Sequence, residues 1–158
     1  MMRFPYRPHL LKQPPPPTLP AGSTARLRPM VAVRLIGPAG RWRDFRRAII
    51  DSGADDTLFP ADAATLIGAS LMPGLGHSVL WRGSSYPLRF GRVEMEVSGG
   101  GLVYRWPAIV GFCSAPLTYP LLGNTAFLEF FNATFQGADH VLELDPNSAF
   151  PGITGSTP

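Results

Sequence analysis

Apolar and acidic residues alternate through Val93-Glu94-Met95-Glu96-Val97, and a period of two along the chain puts the aliphatic side chains on one face of a strand and the carboxylates on the other. Similar short apolar runs, broken by turn residues, recur elsewhere. Met30–Ile36 reads as a strand, Gly37-Pro38-Ala39-Gly40 as its turn and Trp42–Ile50 as the returning strand, so a hairpin delivers the chain to residue 51. Residues 78–82 and 86–90 flank Gly83-Ser84-Ser85 as a second hairpin, with Val79, Leu80 and Phe90 as expected core. Gly99-Gly100-Gly101 turns the chain into residues 102–110, and residues 132–135 with 140–144 form a closing hairpin around Gln136-Gly137. Helical patterns are few. Ala61–Ile67 is alanine-rich and stopped by Gly68, and residues 124–131 form the second candidate helix. These elements predict an all-β protein with one or two short helices, and no internal repeat is present.

Composition agrees with many turns: 158 residues hold 18 prolines and 17 glycines, and 45% hydrophobic content suffices for one core. Four consecutive prolines at 14–17 favour an extended polyproline conformation that cannot join a sheet ladder. Residues 1–28 therefore read as a Pro/Arg-rich arm outside the fold, either disordered or a removable pro-segment, residues 29–145 as the domain, and residues 146–158 as a flexible tail. Charge divides along the same lines. Residues 1–50 hold ten Lys/Arg against one Asp, whereas residues 51–158 hold four against ten acids, so the net +3 hides a basic N-terminal third. Such an arm could meet nucleic acid, an anionic membrane surface or an acidic partner, but it is read first as a solvated segment rather than a nucleic-acid surface.

No apolar run reaches the length of a signal-peptide core or a membrane span, which predicts a soluble, cytoplasmic protein. Cys113 is the sole cysteine, which excludes an intramolecular disulfide and reads as a small buried hydrophobe. His9, His77 and His140 are scattered without ligand spacing, so neither a metal site nor a cofactor is expected.

Candidate chemistry concentrates in Ala48-Ile49-Ile50-Asp51-Ser52-Gly53-Ala54-Asp55-Asp56-Thr57-Leu58-Phe59-Pro60. An apolar strand ends in a carboxylate, a hydroxyl and a glycine, which delivers the acid to the edge of a core. Asp-Ser-Gly alone is also an ordinary turn sequence. In this longer context it resembles the active-site motif of retropepsins, the single-domain aspartic peptidases. Pro120-Leu121-Leu122-Gly123 resembles the apolar-apolar-Gly segment that closes their fold about seventy residues later.

The resemblance implies a retropepsin-like, acid-protease closed β fold. It also implies an aspartic endopeptidase that hydrolyses peptide or protein substrates with a water held between two Asp51 carboxylates. The triplet occurs once, so the second carboxylate would come from another copy in a twofold homodimer. By the same resemblance Ser52, Gly53 and Thr57 support the loop, Ala54, Asp55 and Asp56 line the substrate groove or hold the loop, and Leu121, Leu122 and Gly123 close the fold. Arg82, Gly83, Ser84 and Ser85 form a candidate flap over substrate, with a plain surface hairpin as the other reading. Asn124 stands where retroviral members carry an arginine that pairs with the acid at the position of Asp55. A catalytically inactive peptide- or partner-binding module of the same fold is the alternative.

Overall fold

The computed structural model describes residues 1–74 and 76–157, and it is mostly β. In chain order the strands are β1 (Met2–Pro5), β2 (Arg7–Leu10), β3 (Ala25–Arg28), β4 (Met30–Ile36), β5 (Trp42–Ile50), β6 (Leu58–Pro60), β7 (Ser78–Trp81), β8 (Ser84–Gly99), β9 (Leu102–Cys113), β10 (Leu121–Leu122), β11 (Phe131–Gln136), β12 (Val141–Pro146) and β13 (Ile153–Ser156). Helix α1 (Ala61–Ile67) follows β6, and a 3-10 turn spans Leu128–Phe130. No helix among the described residues is long and apolar enough to cross a membrane.

The alternation at residues 93–97 becomes the middle of β8. Val93, Met95 and Val97 are buried there, while Glu94 and Glu96 face the basic side chains of neighbouring strands. β8 pairs with β9 from Leu88↔Cys113 to Gly99↔Leu102, and Gly100 and Gly101 close the hairpin with φ of 60° and 81°. Two consecutive left-handed residues suit the tight turns whose twist matches that of paired strands, which is why glycines stand here.

The main sheet runs β13-β9-β6-β10-β5-β4-β8-β7, and the β8–β9 pairing joins β9, β6, β10, β5, β4 and β8 into a closed ring. The ring has no free edge, and Phe59, Met95, Val110 and Leu122 fill it. α1 packs Ala63, Ala64 and Ile67 into the core and stops at Gly68, whose φ is 69°. A three-stranded sheet, β1-β12-β11, lies beside the ring.

Both chain ends differ from the expectation of an arm and a tail outside the fold. Met2 and Phe4 are buried, and β1 pairs with β12 from Met2↔Leu144 to Pro5↔Val141. β2 and β3 pair with each other, so the four prolines belong to the loop of a hairpin. Phe150 packs on Tyr104, Trp106 and Phe131, and β13 then extends the main sheet along β9. Apolar side chains spaced for burial outweigh the turn-rich composition around them.

Two internal expectations also change. Residues 124–131 do not form an α-helix: Ala126 has φ of 70°, only Leu128–Phe130 is helical in the 3-10 sense, and Phe131 already opens β11. This path lets Phe127 and Phe131 join Trp106 in one aromatic cluster, with the Trp106 Nε1–H donating to the Ala126 carbonyl at 3.0 Å. In the hairpin of β7 and β8 the turn is Arg82-Gly83, with φ of 49° and 82°, and Ser84 and Ser85 already pair with Trp81 and Leu80. Leu80, expected in the core, is 74% exposed because alternation puts Val79 and Trp81 on the inner face.

Candidate active site at the Asp51 loop

β10 positions the loop. Only two residues long, it lies between the strands on either side of Asp51, parallel to β5 through Leu121↔Ile49 and Leu122↔Ile50 and antiparallel to β6 through Leu121↔Leu58. The Asp51 N–H donates to the Leu122 carbonyl at 3.0 Å, so the residue just past β5 is still held by the ladder. Its carboxylate then bends the chain. Asp51 Oδ1 accepts from the Gly53 N–H at 3.0 Å, and the Asp51 carbonyl accepts from the Ala54 N–H at 3.1 Å. Asp51 is half-buried, and among the described residues its other carboxylate oxygen has no hydrogen-bond partner.

Thr57 joins this loop to the strand that passes beneath it. It is 1% exposed, and its hydroxyl donates to the Thr125 carbonyl at 2.8 Å while accepting from the Gly123 N–H at 3.1 Å. Gly123 is required by close approach rather than by an unusual backbone angle. A Cβ there would lie 2.7 Å from the Ala54 carbonyl oxygen and would also collide with that of Asp56. The Asn124 and Thr125 amides donate to the carbonyls of Ala54 and Asp55 at 2.9 and 2.8 Å, and Asn124 Nδ2 donates to the Ser52 carbonyl at 3.2 Å. Leu121, Leu122 and Gly123 thus close the loop through backbone contacts, and Asn124 braces it without supplying charge. Among the described residues the side chains of Ser52, Asp55 and Asp56 make no hydrogen bond; Ser52 and Asp55 are exposed and Asp56 is half-buried.

A cleft of about 880 Å³ opens beside this loop. Ile49, Ile50, Asp51 and Leu121 line one part of it and Trp81 and Arg82 another, so the structure brings Asp51 and the hairpin tip to one cavity. Ala54, Asp55, Asp56, Gly83 and Ser84, all expected near substrate, do not line it. Trp81 packs on the apolar cluster of Leu58, Leu88 and Leu121, and its buried Nε1–H has no partner among the described residues.

Much of the remaining lining comes from the segment expected to lie outside the domain, His9, Lys12, Arg26 and Arg28 among it, with Tyr119 of the domain beside them. The His9 ring meets the Tyr119 ring edge-on at 5.5 Å, and Arg47 donates to the Pro8 carbonyl at 3.1 Å, which fixes the arm against β5. Burial, with help from the Arg28 and Lys12 charges, lowers the His9 pKa below its usual value. Arg7 and His9, like Arg26 and Arg28, alternate at the period of a strand, the one sequence signal that could have located this wall.

Among the described residues no group of three or more His, Cys, Asp or Glu side chains is arranged to hold a metal. Cys113 is buried beside Leu88 and Leu121, where burial raises its thiol pKa. Comparison with protein-family profiles, with curated proteins and with solved structures finds no match to this chain.

Proposed function

We propose that this chain is a retropepsin-like aspartic endopeptidase, active as a homodimer in which each copy supplies one Asp51. The observation that carries this reading is the threaded β10, which fixes the Asp51 loop and leaves a carboxylate oxygen without a partner among the described residues, in a residue lining an open cleft. Hydrolysis of an amide without a covalent intermediate needs one group to take a proton from water and another to polarise the carbonyl. One carboxylate cannot do both at once. Two facing copies of Asp51 sharing a proton can, since their mutual repulsion keeps one of them protonated; aspartic proteases are the standard illustration of this physics. Activity should then be greatest below neutral pH.

In the proposed dimer the exposed Ser52 hydroxyl is free to bond across the twofold axis, and the Arg82-Gly83 tip closes over an extended peptide. The test is to incubate the purified chain and Asp51→Asn with a diverse peptide pool from acidic to neutral pH, with and without pepstatin, while measuring solution mass. Cleavage that follows the dimer, is blocked by pepstatin and falls about 10²- to 10⁴-fold in the variant is expected. No cleavage from a verified dimer would refute the peptidase and leave a partner-binding module.

A further inference from the structure

The cleft beside Asp51 gathers several cationic side chains around one carboxylate. Lys12, Arg26, Arg28 and Arg82 all line it, and among the described residues Asp51 is the only acid that does. Outside it four arginines meet carboxylates: Arg3 with Glu143, Arg34 with Asp44 and Glu96, Arg43 with Asp62, Arg105 with Glu94 and Glu96. Among the described residues none of the four cleft cations lies within ion-pair distance of a carboxylate.

The β2–β3 ribbon concentrates this charge further. Its register sets Arg7 opposite Arg28 and His9 opposite Arg26. Directly opposed residues of an antiparallel pair share a face, and so do residues two apart on one strand, so all four basic side chains stand on the same face of the ribbon. Like charges placed opposite each other destabilise a sheet, and a two-stranded ribbon is marginal to begin with. The field is felt nearby, because the charges of Arg28 and Lys12 contribute to holding the His9 pKa down. An anionic ligand on that face would relieve the repulsion, and the planar guanidinium fork suits a carboxylate.

We infer that the Asp51 cleft selects extended peptides carrying acidic side chains, with Lys12, Arg26, Arg28 and Arg82 as the residues that read the charge. As a statement about substrate this rests on the peptidase reading, but as a statement about binding it stands without it. The chemistry favours a peptide over a nucleic acid. Ile49, Ile50, Leu121 and Trp81 present apolar surface beside the cations, which suits alternating side chains of a peptide, and Asp51 would repel a continuous phosphate backbone.

The test uses the full-length Asp51→Asn chain, so that bound peptide is not cut, and measures fluorescence anisotropy of matched peptides bearing Glu, Gln or Lys at the same positions. The Glu peptide should bind about tenfold more tightly than the Gln peptide and the Lys peptide more weakly than either, as expected for a few partly exposed charge contacts. The preference should collapse at about 1 M salt, where charges are screened within roughly 3 Å. Arg28→Gln should reduce it and Arg28→Lys retain it, while Arg92→Gln, which removes an equal charge outside the cleft, should leave it unchanged.

Equal binding of Glu and Gln peptides, an undiminished preference in Arg28→Gln, or no peptide binding at all would each overturn the inference. So would tighter binding of a single-stranded oligonucleotide than of the Glu peptide. Hydrolysis of the same peptides by the unmodified chain is scored separately. An intact acidic preference with no hydrolysis sinks the peptidase and leaves this inference standing.

Discussion

Replacing Thr57 by valine keeps the shape of a side chain that is 1% exposed and removes only its hydroxyl, which isolates the join between the Asp51 loop and β10. Two bonds disappear, one to the Thr125 carbonyl at 2.8 Å and one from the Gly123 N–H at 3.1 Å. Each of these backbone groups then needs another partner in a region closed by protein. An unmade bond at a buried group costs about 1–3 kcal/mol, and two uncharged backbone groups in the lower half of that range, about 1–2 kcal/mol each, give about 2–4 kcal/mol. For a chain of this length that lowers Tm by roughly 6–12 °C. Thr57→Ser supplies the comparison, because it keeps both bonds and loses one methyl group, for about 1 kcal/mol. Urea unfolding followed by tryptophan fluorescence gives both free energies, provided the denaturant slope is the same in the three proteins. Valine no more destabilising than serine would mean that packing, rather than hydrogen bonding, holds the loop, and the account of Thr57 would fall.

Phe4→Ala should destabilise the chain by about 3 kcal/mol, as for other buried aromatics, whereas Arg3→Ala on the opposite face of β1 should cost under about 1 kcal/mol. Urea unfolding distinguishes this from a detached arm, in which both changes would be neutral. The Cys113 thiol is pushed above its ordinary value of 9.0 by burial, so below that value both states keep the proton and its contribution to stability is fully present. As pH rises further, the unfolded state ionises first and stability falls. Cys113→Ala should flatten that alkaline decline, measured by urea midpoints across alkaline pH, and an unchanged slope would show that Cys113 plays no part in it.

Leu121-Leu122-Gly123 was reached only through resemblance to a family motif, whereas local signals carried the hairpin of β4 and β5 and helix α1 with its Gly68 stop. Each rests on an apolar run bounded by residues whose backbone preferences are strong in any context. The arm was obscured for the opposite reason. β1 is four residues long and exists because Met2 and Phe4 find cover and β12 offers a ladder, which nothing within residues 1–28 announces. The basic face of β2 and β3 was visible as charge but not as a cleft wall, because its position depends on contacts of Pro8 and His9 with Arg47 and Tyr119. Residues 124–131 show the limit of periodicity. Their pattern suits a helix, but the turn at Ala126 allows the aromatic cluster to form, and packing outweighs a modest local propensity.

The two-residue strand beneath Asp51 also sets an order of events during synthesis. Ser52 and the Asn124 side chain that holds its carbonyl are 72 positions apart, and the Thr57 hydroxyl waits on an amide 66 positions downstream. A nascent chain that has emerged only through β9 contains the whole Asp-Ser-Gly segment, yet nothing to thread between β5 and β6. Contacts of such long span form late and slowly, after local hairpins have closed. The geometry that holds the Asp51 loop is therefore withheld from a growing chain on the ribosome until residues 121–125 have emerged.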